Sequence, residues 1–257
     1  MKTTVRSTLF AAFAALLIAA PRTFAQEEAA PPPPSLAQFD EDVAVCRRVI
    51  RDYCAIVQDM MKDKELDAAK QAQGLALLAE ARRQWTEIQQ TYAANPPAEY
   101  AADKSFKARL QDVANAAEDM DQALAAGDAR RSMLACGFGC GLFVGLHEDN
   151  GLSYALDKLF HLRKTGKTAA ARFKARGLDA VRPLLPVLLR QRDDVLLAAL
   201  PWPAGDARNE AYLEGVRALS AELDRLALAA AQDRAEEVGP ILERLTPVIN
   251  KPYGIAL

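Results

Sequence analysis

The residues best suited to binding chemistry are concentrated in one glycine-rich stretch of this chain, 133–147. It contains these sulfur and imidazole donors: Met133, Cys136, Cys140 and His147. In an α-helix, which turns by about 100° per residue, the four side chains share one face. A thioether, two thiols and an imidazole form a soft ligand set that suits Cu(I), zinc or haem iron. We therefore take these four residues as candidate metal ligands and His147 as the candidate cofactor ligand.

Four glycines are interspersed with these donors and lie off their face: Gly137, Gly139, Gly141 and Gly145. A glycine inside a helix costs about 1 kcal/mol relative to alanine, so a helix with four of them needs a compensating reason. Close approach of a neighbouring helix, or of a flat cofactor, is the reason we expect.

Two further cysteines, Cys46 and Cys54, lie on the apolar face of the predicted first helix. A core that brought them to Cys136 and Cys140 would hold four sulfur donors suitable for copper. An even number of cysteines in an exported protein is also typical of a disulfide framework. The metal site and the disulfide therefore stand as alternatives.

The spacing of the cysteines limits which disulfide can form. Cys46 and Cys54 are about 12 Å apart along a helix axis, too far to bridge each other. Cys136 and Cys140 are about 6 Å apart, at the edge of what a disulfide spans. A bridge between the first and fourth helices is therefore favoured. It would leave His147, whose alternative role is an interaction with the dipole at the end of its helix.

The elements that carry these residues are predicted to be helices, so the fold class is all-α. From Ser35 onward apolar residues recur at helical spacing, and the alternating β-branched runs that indicate strands do not occur. Proline and glycine punctuation predicts helices at about 36–64, 65–95, 103–126, 128–149, 152–174, 178–200, 207–231 and 233–248.

The two halves of the chain repeat similar features at an offset of about 105 residues, which indicates a duplicated unit. Proline-bearing loops at 95–97 and 201–203 occupy matching places. Four amphipathic helices joined by short loops favour an antiparallel four-helix bundle. We expect two tandem bundles, a first at 35–151 with the candidate site and a degenerate second at 152–257. One continuous helical array is the alternative.

The start of the chain has the order of a secretory signal peptide. Basic residues Lys2 and Arg6 precede an apolar run over 9–20 and a small-residue cleavage site, which predicts a signal peptide at 1–25 and a periplasmic location. The run is shorter than the roughly 20 residues of a membrane-spanning helix. No later segment is apolar enough to span a bilayer, and 26–34, with four consecutive prolines, is predicted to be an extended tether.

Three motifs shared by the halves carry a family resemblance. They are the proline-bearing loop between the second and third helices, the aromatic residue that follows it (Phe106 or Tyr212), and the Ala-Gly-Asp sequence at 126–128, which Ala-Gln-Asp at 231–233 matches. In these features each half resembles a cytochrome c′, the four-helix-bundle haem protein of the bacterial periplasm. The resemblance extends over most of the chain after the tether.

The chain departs from that family at the haem attachment. The family binds haem through Cys-x-x-Cys-His, which this sequence lacks. Aligning the Ala-Gly-Asp loops brings His147 to the position of the haem-ligating histidine, with Phe143 and Leu146 at the cysteine positions. The resemblance therefore implies non-covalent haem with His147 as its ligand, while covalent c-type haem is not expected. Copper is the other candidate cofactor, because of the soft donor set. The second half has neither Cys nor His at 248–252 and is expected to be structural.

Composition and missing motifs narrow the function. A formal net charge of −2 with evenly mixed charges argues against nucleic-acid binding. No Gly-x-Ser-x-Gly, His-Glu-x-x-His or phosphate-loop motif occurs, so enzyme activity is not expected. We expect a periplasmic, non-enzymatic binding or electron-transfer protein with a redox or protein partner. The alternative is a cofactor-free structural or partner-binding helical module stapled by a disulfide.

Overall fold

The computed structural model describes residues 33–62 and 67–257, and throughout those ranges the regular structure is helical. The all-α prediction is therefore confirmed for them, while the predicted signal peptide and most of the tether lie outside the described residues. The helices are α1 (Leu36–Met60), α2 (Ala68–Tyr92), α3 (Phe106–Ala125), α4 (Ala129–Asp149), α5 (Ala155–Arg176), α6 (Leu185–Leu197), α7 (Ala207–Ala231) and α8 (Ala235–Ala256).

Side-chain caps fix the beginnings of four of these helices. Ser35, Asp67, Asp128 and Asp206 each accept hydrogen bonds from backbone N–H groups in the first turn of the helix that follows. Those N–H groups have no partner within the helix, so an oxygen side chain at the cap stabilises the start of the helix. The acidic caps also interact favourably with the helix dipole.

The sixth helix begins later than the sequence predicts. The segment from 178 forms two short 3₁₀ turns, Leu178–Ala180 and Arg182–Leu184, before regular α-helix starts at Leu185. Pro183 and Pro186 lie at this junction. Proline has no backbone N–H to donate, and the residue before it is disfavoured in the helical conformation, so the first turns stay irregular.

The last helix continues to Ala256 rather than ending near 248, although it contains three prolines, among them Pro247 and Pro252. Each internal proline removes one backbone hydrogen bond. Ile249 and Tyr253, beyond the predicted end, are both buried. The burial of these large apolar side chains offsets the missing hydrogen bonds.

Helix contacts group the chain into two sets of neighbours. Helix α1 contacts α2 and α4, and α3 also contacts α2 and α4. In the same way α5 contacts α6 and α8, and α7 contacts α6 and α8. No helix of the described residues is both long and apolar enough to cross a bilayer.

Two hydrophobic clusters form the core of the first four helices, α1 to α4. One is aromatic and includes Phe39, Tyr92 and Tyr100. The other surrounds Tyr53 and Leu78. The second set of helices has a single cluster of its own. The first set therefore has a core in two parts, and the side chains between the two parts form the candidate site.

Candidate functional site

A cavity of about 320 Å³ lies between the two clusters of the first four helices, and residues of α5 and α8 complete its wall. We call it the central cavity. Its apolar lining includes Ile50, Trp85, Val113, Met120 and Phe143. Ligand pockets in proteins are clefts of about 300–1,000 Å³ with largely apolar walls, so the size and lining suit a small organic molecule.

All four cysteines of the chain line the central cavity. Cys54 of α1 and Cys136 of α4 lie at disulfide distance from each other. The prediction that a bridge joins the first and fourth helices is therefore confirmed. Cys46 and Cys140 are free thiols.

Cys46 is a protonated thiol in this setting. Burial raises the pKa of Cys46 to about 12. The thiol lies 3.5 Å from the carbonyl oxygen of Ala81, to which it donates a weak hydrogen bond. Because a thiolate is the form that binds metals and attacks electrophiles, Cys46 contributes apolar surface to the cavity rather than reactivity.

The structure brings together three of the four residues predicted to form the site. The stretch 133–147 is continuous helix within α4, as the sequence predicts. Met133, Cys136 and Cys140 line the central cavity, whereas His147 is not among the lining residues. Among residues 33–62 and 67–257, no group of three or more His, Cys, Asp or Glu is arranged to hold a metal ion.

His147 instead belongs to a buried polar group at the end of α4. It is 6% exposed, and its Nδ1 lies 2.8 Å from Oδ2 of Asp157 in α5, which is 1% exposed. The ring of Tyr154 lies 4.5 Å from the imidazole, and the Tyr154 hydroxyl donates to Asp40 at 2.7 Å. Burial raises the pKa of Asp40, against the lowering effect of that hydrogen bond. This group links α1, α4 and α5.

Close helix approach accounts for only part of the glycine content of α4. A Cβ atom on Gly139 would lie 3.4 Å from the side chain of Ala116 in α3, at the limit of an ordinary contact, so this glycine marks a close approach of α3 and α4. Gly141 would meet Phe160 at 3.9 Å, an ordinary contact. Gly137 and Gly145 face open space within 4 Å. The expectation of close packing therefore explains Gly139 and leaves Gly137 and Gly145 without a steric reason.

The sequence interpretation missed four basic side chains that also line the central cavity: Arg47 and Arg51 of α1, and Arg163 and Lys167 of α5. Arg47 is only 7% exposed. One signal for it was present, because Arg47 follows Val43 by four residues and precedes Ile50 by three, the spacing of the apolar helix face. Arginine is almost never fully buried unless it is paired, so an arginine on the apolar face of a helix is a candidate for ligand or ion-pair contacts.

The cavity-lining side chains Arg47, Arg163 and Lys167 have few hydrogen-bond or ion-pair partners within the protein. The Arg47 guanidinium lies 5.3 Å from the centre of the Phe143 ring and donates to the Tyr253 hydroxyl at 3.5 Å. Arg163 lies 4.9 Å from the centre of the Tyr253 ring. Partial burial, and next the charge of Arg163, lower the pKa of Lys167. The described cavity lining contains no carboxylate side chain.

These positions bear on which kind of ligand the cavity can take. Of the soft donors that the sequence suggested, Cys54 and Cys136 lie at disulfide distance, Cys46 is a protonated thiol, and His147 lies outside the cavity lining. The arrangement therefore fits an organic molecule better than a haem iron or a copper ion. Comparison with known proteins adds no further assignment, because no family model, no curated protein and no solved structure matches this chain.

Proposed function

We propose that this chain is an exported, non-enzymatic protein that binds a small, largely apolar molecule in the central cavity. The single observation that carries the proposal is the cavity itself, about 320 Å³ in volume and lined by apolar side chains from all of the first four helices. The cavity opens to solvent beside exposed residues such as Ala55 and Gln58, and apolar clefts of this size are typical ligand sites. The enzyme motifs missing from the sequence support a binding role.

The proposal includes a periplasmic location and a cytochrome c′-like architecture of two tandem four-helix bundles. The order of basic, apolar and small residues at 1–25 supports export. The neighbour contacts α1–α2, α2–α3, α3–α4 and α1–α4, repeated among α5 to α8, support the bundles. Cavities between the helices of such bundles are common places for ligands.

An electron-transfer role would need haem or copper held by Met133, Cys140 and His147. Two observations argue against that ligand set. His147 lies outside the cavity lining, and its side chain is only 7% exposed. Met133 and Cys140 alone supply too few donors for a copper site. We therefore favour an organic ligand.

The first experiment identifies whether the cavity binds apolar molecules. The protein is purified from the periplasm, its visible spectrum and its content of Fe, Cu and Zn are recorded, and it is titrated with the neutral fluorophore N-phenyl-1-naphthylamine. We expect a colourless, metal-free protein that binds one fluorophore. Ala117→Phe, which places a ring in the cavity, should weaken the binding at least about tenfold, because a filled cavity excludes the probe.

Ala108→Phe is the matched control, since Ala108 is exposed on the same helix, α3. It should bind the fluorophore like the wild type. Circular dichroism checks that both variants are folded, because overpacking a core costs about 1–3 kcal/mol. Equal binding by the wild type and a folded Ala117→Phe variant would place the probe elsewhere and reject the cavity as the site. A haem or copper content near one per chain would favour the electron-transfer alternative.

A second candidate function is a cofactor-free structural or partner-binding module. The observation that favours it is the Cys54–Cys136 pair at disulfide distance, which would join α1 to α4 without any ligand. This candidate predicts that the protein binds neither the fluorophore nor a metal and that its stability depends on the disulfide alone. The titration described above separates the two candidates.

A further inference from the structure

The central cavity contains a charged side chain that the chain itself does not neutralise. Arg47 is 7% exposed, and its polar side-chain contact is a hydrogen bond of 3.5 Å to the neutral hydroxyl of Tyr253. A guanidinium stays protonated at every physiological pH, and a buried charge is costly unless it is paired. Among the described residues, no ion pair joins Arg47 to a carboxylate.

Two more cations stand at the same end of the cavity. Arg163 and Lys167 are one turn apart on α5, and in the part of the chain that the structure describes neither forms an ion pair with a carboxylate. Arg163 rests on the ring of Tyr253, with 4.9 Å from its guanidinium carbon to the ring centre. Three cations without an ion-pair partner therefore converge from α1 and α5 on a wall that contains no carboxylate side chain. Arg51 and the last residue, Leu257, also line the cavity, but Arg51 pairs with Asp52 at 3.5 Å, and the main-chain oxygen of Leu257 accepts from Arg48.

Much of the remaining cavity lining is apolar. Trp85 of α2 and Val113 and Met120 of α3 belong to it, and each is nearly fully buried. The lining thus combines cations from α1 and α5 with hydrophobic side chains from α2 and α3. A ligand that satisfies both must have an apolar body and an anionic head.

We propose that the central cavity binds an amphipathic carboxylate, with its carboxylate on Arg47, Arg163 and Lys167 and its apolar body against α2 and α3. This inference rests on the proposed binding function and names the ligand class. Arginine suits the role because its planar donors bind a carboxylate through two parallel hydrogen bonds. The ligand would supply the counter-charge that Arg47 lacks in the protein alone.

The test compares three compounds with the same alkyl chain and different heads: decanoate, decan-1-ol and decyltrimethylammonium. Their affinities are measured by displacement of N-phenyl-1-naphthylamine from the full chain. We expect decanoate to bind about tenfold or more tightly than the alcohol, since hydrogen bonds between charged groups are stronger than neutral ones. The cationic compound should bind more weakly than the alcohol, because it faces like charges.

Arg47→Met retains the length of the side chain and removes its charge. It should abolish most of the preference for decanoate over decan-1-ol while changing the affinity for the alcohol less than about threefold. Arg130→Met is the control, because Arg130 is exposed on α4 and does not line the cavity. It should keep the wild-type preference. Acetate, which has the head without the body, should not displace the fluorophore.

A second measurement checks that Arg47 serves the ligand rather than the fold. Without ligand, the urea midpoint of Arg47→Met should equal or exceed that of the wild type, because replacing an unpaired buried charge by an apolar side chain is often neutral or stabilising. A folded Arg47→Met variant with a clearly lower midpoint and an unchanged preference for decanoate would overturn the inference.

The outcomes also separate this inference from the function on which it rests. Equal binding of decanoate and decan-1-ol by the wild type overturns the amphipathic carboxylate and leaves the apolar binding function intact. Failure of all three compounds and of the fluorophore to bind overturns both. Mass spectrometry of ligand extracted from the periplasmic protein should find an acid with an apolar body, and a neutral extract would contradict the inference.

Discussion

His147 and the soft donors of α4 share a helix face but lie at different heights along it. Seven residues separate His147 from Cys140, which is about 10 Å along the helix axis. At that height α4 has passed the central cavity and meets α5, where Asp157 bonds to the imidazole at 2.8 Å. The angular position of a side chain follows from the sequence, whereas what stands opposite it depends on the neighbouring helix.

Replacement of His147 therefore tests a structural role at the scale of the single residue. We expect His147→Ala to lower the free energy of unfolding by about 3 kcal/mol, because it leaves the buried carboxylate of Asp157 without its partner. Urea denaturation at neutral pH measures the change.

The control is His161→Ala. His161 is partly exposed, with 38% of its side chain accessible, and it pairs with Glu148 at 3.0 Å. Its loss should change the free energy of unfolding by less than about 0.5 kcal/mol. If the two alanine variants were equally stable, the pairing of His147 with Asp157 would contribute nothing, and the imidazole would be available for another role.

The effect of a glycine on stability differs between helices and depends on what lies next to it. Gly145 in α4 has no neighbour within 4 Å of an added Cβ, whereas on Gly215 in α7 that atom would lie 3.0 Å from Cδ and 3.2 Å from the backbone nitrogen of Pro252. The first glycine weakens its helix with no packing gain, and the second allows α7 and α8 to approach. At the scale of the element, packing decides what a glycine costs.

Substitution of alanine at these two glycines should therefore have opposite effects. Gly145→Ala is expected to raise the free energy of unfolding by up to about 1 kcal/mol through helix propensity. Gly215→Ala is expected to lower it by about 1–3 kcal/mol, because the new methyl group meets a backbone atom that cannot move aside cheaply. Thermal and urea unfolding of the two variants measure both effects. A stabilised Gly215→Ala variant would contradict the close contact between α7 and α8.

Hydrogen bonds join the first and last helices of the described chain, α1 and α8. Arg51 of α1 donates to the carbonyl oxygen of Gly254 at 3.2 Å, and Arg48 donates to that of Leu257 at 3.3 Å. The continuation of α8 past Pro252 makes these contacts. It also brings Tyr253 to the central cavity, which therefore depends on residues from both ends of the described chain.

The disulfide affects the stability of the whole molecule, because it restricts the conformations of the unfolded chain. Cys54 and Cys136 are 82 residues apart, and closing a loop of that length stabilises the folded state by about 4.5 kcal/mol in the chain-entropy description. Cys54→Ala/Cys136→Ala should lose about that much free energy of unfolding, and dithiothreitol should produce a similar loss in the wild type.

Thiol counting on the denatured, unreduced protein is the check on connectivity. Two free thiols are expected, from Cys46 and Cys140, and four after reduction. In the native protein Cys46 should react the more slowly at pH 8, since its pKa of about 12 keeps it protonated. Four thiols before reduction would show that the bridge does not form.

The sequence by itself determined the helical class and most helix boundaries. The caps at Asp128 and Asp206 and the prolines after α2 act within a few residues, so their effects can be read locally. The same local character explains why the bridge between the first and fourth helices was predictable. Within one helix, spacing alone excludes most alternatives.

Only the tertiary structure shows which side chains line the central cavity. Its wall takes side chains from six helices, and the chain separates Arg47 from Tyr253 by 206 residues. In the sequence, Arg163 and Lys167 look like any two of its many charged residues, since nothing local tells whether a carboxylate will stand beside them. Whether a charge is paired depends on residues distant in the chain, and only the packed helices bring those residues together.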